Sequence, residues 1–451
     1  MSIVETLLAF IVVIGILVTV HEFGHYWVAR RLGVKILRFS VGFGKPLWSR
    51  RFGKDNTEFV IAAIPLGGYV KMLDEQEGEV PQEELPRAFN RQPLSVRAAI
   101  VVAGPLFNLL FAIIAYTVMY MIGVTGMKAM VGEVTNQSLA EQAGFRQGYQ
   151  IIAVNKQSTK RWDSVIQATL QQMLDDRHQV VYSVLNKQGY QNDLILNLAG
   201  LTIDDIASGK FFDKLGMHPF RPSPPAVIGD IMPNTAAQRA GLKPGDKIII
   251  LGNKPIDDWI ALSTYVNQYA GQEISVEIER NQQRLKLTLT PDNVDGKGRL
   301  GVYAPQRYTI PDEYLETERY NLGHAFIQGM EKTWDISVLT LRVMIKMVTL
   351  QVSHQHISGP ISIAQFAGQS ARLGIDIFLS FLGLVSVSLG IINLFPIPLL
   401  DGGHLLLYLI EWIRGSPVTE NTEYLLQRIG LALLLGLMGL AIFNDLERLF
   451  S

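Results

Sequence analysis

Three ionisable side chains interrupt the first apolar run of the chain, in the segment His21–Glu22–Phe23–Gly24–His25. On a helix, His21 and His25 share one face, so both imidazoles can bind a single zinc ion. Glu22 lies between them and can take a proton from water that the metal activates. Ionisable groups inside an apolar helix are energetically costly and usually functional. The pattern favours metal-assisted hydrolysis over the alternative, a helix that ends at Val20 and leaves the three groups in water.

A catalytic zinc needs a third protein ligand and an open position for water. Asp401 is the candidate, because it directly follows another apolar run and closes the segment Asn393–Leu–Phe–Pro–Ile–Pro–Leu–Leu–Asp401. A straight helix would carry Asp401 about 37 Å beyond Asp376, too deep to meet the histidines. Pro396 and Pro398 lack backbone donors and should break the helix, which shortens the path. We expect the two motifs to meet in the same half of a membrane.

Other histidines carry weaker signals. His404 follows Asp401 by three residues and is either a neighbour of the metal site or a helix-surface residue. His354 and His356 alternate as two ligands on a strand would, but they fall on the opposite side of the predicted membrane from His21. A loop is the favoured interpretation for that pair.

Four long stretches lack Asp, Glu, Lys and Arg, apart from Glu22 in the first, and a membrane helix needs about 20 apolar residues. Charged residues make up 18% of the 451-residue chain, below the roughly 25% of soluble domains. The N-terminus lacks a basic region and a small-residue cleavage site, which favours a retained anchor over a signal peptide. We predict an α-helical polytopic membrane protein with four spans, within residues 1–29, 98–127, 377–400 and 424–446.

The loop charges orient these spans. Residues 29–97 contain 12 Lys or Arg, whereas residues 1–5 contain none. The positive-inside rule then places 30–97 in the cytoplasm and the N-terminus outside. Alternation of the four spans puts the predicted loop 401–423 in the cytoplasm and the C-terminus outside. The segment 128–376 also lies outside, and within it residues 307–376 show amphipathic helical spacing that suits a membrane surface.

A repeat fills residues 128–306. Val131–Trp162 aligns without gaps on Ile228–Trp259 at an offset of 97, with glycines and paired isoleucines in register. The units, 128–221 and 222–306, resemble α+β PDZ domains in the circularly permuted bacterial arrangement, each with a late Leu–Gly–hydrophobic loop. PDZ domains add an extended peptide to a sheet edge. The first unit has Tyr149–Gln150 where the second has Asp246–Lys247, and a pair of spacers without ligand stays an alternative.

Composition excludes other functions. The 40 basic and 41 acidic residues nearly cancel, which argues against nucleic acid as a partner. The chain has no cysteine, so a disulfide scaffold, a thiolate metal site and a cysteine nucleophile are all excluded.

Together the motifs resemble the site-2 protease family of intramembrane zinc metalloproteases, over nearly the whole chain. The resemblance implies that His21, His25 and Asp401 bind Zn²⁺, that Glu22 is the catalytic base and that Asn393 contacts substrate. It also implies a membrane-associated β-hairpin, containing Gly42, Phe43 and Gly44 and the stretch Phe59–Met72, whose edge pairs with an unwound substrate.

The implied substrates are single-pass membrane proteins of the anti-sigma factor type and remnant signal peptides, cleaved in the bacterial inner membrane with the PDZ-like units in the periplasm. Lipid is an implied partner, and the PDZ-like units would contact a peptide or a substrate ectodomain. Two rival functions remain: a zinc transporter that uses the same three ligands, and a non-enzymatic membrane scaffold that presents PDZ units. The transporter leaves Glu22 without a role, and the scaffold leaves the intramembrane motif unexplained.

Overall fold

The computed structural model describes residues 3–76, 78–305, 308, 310–349, 352, 353, 355 and 357–450. His354 and His356 lie outside the described residues. The helices are, in chain order, α1 (Ile3–Arg31), α2 (Leu94–Ile122), α3 (Leu139–Gln142), α4 (Trp162–Leu174), α5 (Ile203–Ala207), α6 (Phe211–Leu215), α7 (Ala236–Arg239), α8 (Trp259–Gln268), α9 (Leu322–Val348), α10 (Pro360–Leu373), α11 (Ile375–Asn393), α12 (Asp401–Arg414) and α13 (Glu420–Phe450).

The strands pair in small sheets. They are β1 (Ile36–Phe52), β2 (Thr57–Met72), β3 (Val124–Met127), β4 (Val131–Val134), β5 (Gln150–Val154), β6 (Gln157–Ser158), β7 (Gln179–Leu185), β8 (Gln191–Asn197), β9 (Met217–Pro219), β10 (Lys247–Leu251), β11 (Lys254–Pro255), β12 (Ile274–Arg280), β13 (Gln283–Leu289), β14 (Asp292–Val294), β15 (Lys297–Arg299) and β16 (Leu315–Glu318).

Among the described residues, the four helices long and apolar enough to cross a membrane are α1, α2, α11 and α13, in agreement with the predicted four spans. Helix α2 is central and contacts α1, α9, α11 and α12. Small residues on α11 let it approach α2 closely: a Cβ at Gly383 would lie 2.6 Å from the Tyr116 ring. Ser386 adds a hydrogen bond from its hydroxyl to the backbone oxygen of Asn108, at 2.8 Å. Such small-residue contacts stabilise helix pairs in lipid.

The chain breaks between α11 and α12, as the prolines predicted. Helix α11 ends at Asn393 and α12 begins at Asp401, so the segment that holds Pro396 and Pro398 is non-helical. The predicted loop 401–423 instead contains α12, which at 14 residues is about 21 Å long and too short to span. Glu411 of α12 is paired with Arg97 of α2 at 2.6 Å, with both side chains 18% exposed.

The predicted β-hairpin is formed by β1 and β2, which pair with each other along two registers and so make a sheet wider than two strands. Phe39 of β1 pairs both with Val70 and with Phe59 of β2, so the first half of β1 is central. The end of β2, residues 68–72, therefore forms one edge of the sheet. Contacts between β2 and α1 place this edge beside the first membrane helix.

Two α+β units follow α2, each with its own apolar core. Their four-stranded sheets have matching orders, β6–β5–β7–β8 and β11–β10–β12–β13. Helices α3 and α7, strands β5 and β10, and helices α4 and α8 all begin 97 residues apart, the offset of the sequence repeat.

A two-stranded ribbon connects the units to the membrane part. Helix α2 starts at Leu94, four residues before the predicted span, because Pro93 is well suited to precede a first turn. It ends at Ile122, because the following Gly123 has a φ of 107°, outside the helical region. Strand β3 follows and pairs with β16, so the chain leaves and rejoins the membrane part at one ribbon. Between β16 and α11, the described chain forms α9 and α10, and Lys346 of α9 binds Asp176 of the first unit at 2.7 Å.

Candidate active site

Two histidines of α1 and the first residue of α12 meet at one point. The Nε2 atoms of His21 and His25 are 3.3 Å apart. The Asp401 carboxylate lies 3.2 Å from Nε2 of His21 through Oδ2, and 3.6 Å from Nε2 of His25 through Oδ1. Among the described residues, these three form the one group of His, Asp or Glu side chains able to hold a metal ion. The predicted ligand Asp401, 376 positions beyond His25, is thus brought together with both histidines.

The geometry fits a zinc ion. Tetrahedral zinc with nitrogen ligands at about 2.0–2.1 Å separates adjacent ligand atoms by about 3.3 Å, close to the spacing of the two Nε2 atoms. Oδ2 of Asp401 is buried without a hydrogen-bond partner, and such an atom is energetically costly unless it has another ligand. Two imidazoles and one carboxylate leave a fourth position open for water or substrate.

One stripe of α2, at residues 100, 104 and 108, borders the two histidines. Nδ1 of His25 donates to the backbone oxygen of Ile100 at 2.8 Å, so its Nε2 keeps a free lone pair. A Cβ at Gly104 would lie 2.3 Å from Nε2 of His25 and 2.8 Å from Cε1 of His21. The Asn108 amide lies 3.1 Å from Nδ1 of His21. Sequence reasoning missed this stripe; its one visible signal was a lone amide, Asn108, in an apolar run.

Glu22 lies beside the cluster without belonging to it. Its carboxylate accepts a hydrogen bond from the backbone N–H of Val70 in the edge strand. Gly68 of the same strand approaches closely, since a Cβ there would lie 3.1 Å from Cγ of Glu22. The carboxylate next to the histidines and the edge of the sheet are therefore in direct contact.

The remaining predicted residues lie around this centre. The Asn393 amide is 3.5 Å from Nε2 of His21. Gly42 and Gly44 have φ of +95° and +87°, which favours glycine, and they turn the chain so that the Phe43 ring stacks on Tyr69 at 6.2 Å. Phe43 thus contacts the edge strand next to Val70 rather than the ligands.

His404 lines a cavity between α12 and the segment 70–97, together with Val70, Arg97 and Tyr408. The cavity lies beside the edge strand, since Val70 and Met72 also line it.

Comparison with known proteins agrees with this geometry. The profile of peptidase family M50 matches residues 9–437. The "Regulator of sigma E protease" of Salmonella typhi is 44% identical over 453 residues, covering 100% of both chains. The "Regulator of sigma-E protease RseP" of Escherichia coli K12 is 42% identical over 453 residues, again covering 100% of both. The "Protease RseP" of Yersinia pestis is 44% identical over 460 residues, with 100% coverage of each chain. The chain therefore belongs to peptidase family M50 and is a zinc-dependent membrane metalloprotease.

Proposed function

We propose that this enzyme hydrolyses a peptide bond within or beside the transmembrane segment of a single-pass membrane protein, with Glu22 as its base. One observation carries the proposal: the cluster of His21, His25 and Asp401 lies among membrane helices and touches, through Glu22, the edge of a β-sheet. A helical substrate hides its carbonyls in its own hydrogen bonds, so a site beside a sheet edge offers replacement partners.

The residues divide the chemistry among them. His21, His25 and Asp401 would hold zinc, which when bound polarises the scissile carbonyl and activates water. Glu22 accepts the proton of the attacking water and passes it to the leaving amine. Asn393, 3.5 Å from the ligand His21, is placed to donate its amide N–H to the substrate backbone near the scissile bond.

The edge strand 68–72 is proposed to hold the unwound substrate. Because the N–H of Val70 points to Glu22, the outer side of this strand faces the base. A substrate strand added there would run past the carboxylate. Gly42, Phe43 and Gly44 act indirectly, since Phe43 stacks on Tyr69 and fixes the position of the edge.

The names of relatives support a substrate class. Five relatives are named as regulators of sigma-E, which supports an anti-sigma factor type of substrate, an inner-membrane location and a role in stress response. Remnant signal peptides are a second proposed class. The charge of residues 29–97 supports a cytoplasmic position for the sheet and a periplasmic one for the two outer units.

The outer units are proposed to be circularly permuted PDZ-like domains that filter substrates. In the second unit, a groove runs between α8 and the Leu300–Gly301–Val302 loop, lined also by Met232 and Trp259. This groove supports peptide binding, whereas the ribbon to the membrane part supports exclusion of bulky ectodomains. The transporter and scaffold alternatives are not favoured, because the chain belongs to a peptidase family.

The test uses purified protein, zinc quantification and a reporter transmembrane substrate. Glu22→Gln keeps the side-chain size but removes the base, so zinc content should stay near one per chain while cleavage falls by about 10²-fold or more. Asp401→Ala should instead lose zinc. Normal cleavage by Glu22→Gln would refute the proposed base, and full zinc with full activity in Asp401→Ala would remove that residue from the ligand set.

A further inference from the structure

Asn108 is a fully buried polar side chain in a membrane helix. Its Nδ2 atom lies 3.1 Å from Nδ1 of His21, and its Oδ1 atom has no hydrogen-bond partner. Ser386 contacts the backbone oxygen of Asn108 rather than its amide. A buried polar group left half unsatisfied in an apolar helix is energetically costly, so its retention needs a reason other than helix packing.

The zinc chemistry of His21 supplies that reason. The Nε2 atom of His21 faces the metal position, because it lies 3.2 Å from Asp401 and 3.3 Å from His25. A neutral imidazole that binds metal through Nε2 carries its hydrogen on Nδ1, and this N–H needs an acceptor. Rotating an amide by 180° exchanges its oxygen and nitrogen. With Oδ1 turned toward Nδ1, the amide oxygen accepts the N–H that zinc binding puts on this atom, and Nδ2 takes the position where Oδ1 now has no partner.

We infer that Asn108 is a positioning residue for the zinc ligand His21. Its amide oxygen accepts the Nδ1–H of His21, which fixes the tautomer and the ring plane that zinc binding requires. The backbone oxygen of Ile100 does the same for His25, at 2.8 Å. Helices α1 and α2 are paired so that His25 meets residue 100 while His21 meets residue 108, two turns further along α2. The inference rests on the zinc ligands named in the proposed function.

The experiment compares zinc affinity by chelator competition in four purified variants of the full chain. Asn108→Leu removes the acceptor at similar size, and we expect zinc affinity to fall by about 10–100-fold, as for other lost partners of metal-bound histidines. Asn108→Asp keeps an acceptor and should bind zinc at least as tightly as the wild type. Ser386→Ala, which loses only the contact to the Asn108 backbone, is the matched control and should leave zinc affinity unchanged. His25→Ala tests the ligand set itself.

The outcomes separate the proposed zinc ligand set from the proposed role of Asn108. Retained zinc in His25→Ala would refute the proposed site, whereas loss in His25→Ala with wild-type affinity in Asn108→Leu would overturn only the role of Asn108. Equal weakening of zinc affinity in Asn108→Leu and Asn108→Asp, with unchanged thermal unfolding of the zinc-free proteins, would show that the amide N–H rather than an acceptor oxygen matters, and would overturn the inference. If Asn108→Asp does not fold, the Co²⁺ absorption spectrum decides. At saturating Co²⁺, the absorption spectrum of Asn108→Leu should differ from that of the wild type, whereas the spectrum of Ser386→Ala should not. An unchanged Asn108→Leu spectrum would overturn the inference.

Discussion

Gly104 is the position where a single methyl group should damage the metal centre most directly. The added Cβ of Gly104→Ala would lie 2.3 Å from Nε2 and 2.5 Å from Cε1 of His25, and 2.8 Å from Cε1 of His21. Carbon atoms approach each other to about 3.5 Å without repulsion, so the His25 ring must retreat by about 1 Å. Zinc–ligand distances tolerate only about 0.2 Å. We therefore expect zinc affinity, and cleavage at limiting zinc, to fall by about 10²-fold, as for other 1 Å misplacements of a site.

The assay must separate this local effect from unfolding. Alanine favours a helix over glycine by about 1 kcal/mol, so Gly104→Ala should not lower the thermal stability of the zinc-free protein. Gly15→Ala is the matched control, because it makes the same change in α1 at a position with no atom within 4 Å. Zinc per chain after dialysis against a chelator is the readout. If Gly104→Ala retained zinc as well as Gly15→Ala, the packing of both histidines on α2 would be refuted.

Two further predictions concern orientation and the outer units. The chain lacks cysteine, and Ser49 and Ser158 are both exposed, so a single introduced cysteine can be labelled at either position. Ser49→Cys should react only with reagent that reaches the cytoplasm, and Ser158→Cys only with reagent outside. Labelling of both from one side would contradict the proposed topology. Because Met127 pairs with Leu315, residues 128–314 can be replaced by an Asn–Gly turn that closes β3 and β16 as a hairpin. The shortened protein should retain zinc and still cleave a substrate with a short ectodomain, and it should cleave a substrate with a bulky folded ectodomain faster than the wild type does. Loss of short-substrate cleavage with zinc retained would refute the proposal that the outer units filter substrates.

Local sequence patterns predicted the parts of the site that lie on one element. The spacing of His21 and His25 depends on one helical turn, and the break before Asp401 depends on two prolines. Both features can therefore be predicted from the local sequence, without knowledge of the tertiary structure. The four membrane spans follow from apolar length alone. Residues 401–423 were predicted as a loop, and helix α12 within them was missed. Glu411 of α12 pairs with Arg97, 314 residues away, and no local pattern records such a pair.

The α2 stripe shows why the rest of the site could not be predicted. Ile100 acts through a backbone oxygen that any residue carries, and Gly104 acts by the absence of a side chain. Neither has a chemical signature until α2 lies against α1. His25 and Ile100 are separated by 75 positions in sequence, a stretch that includes the whole sheet, so the pairing depends on tertiary packing. A metal site inside a membrane needs such a partner helix, because lipid offers no water to fix the tautomers of its histidines. A helix packed against the ligand-bearing span, with an acceptor on either side of a glycine, meets that need.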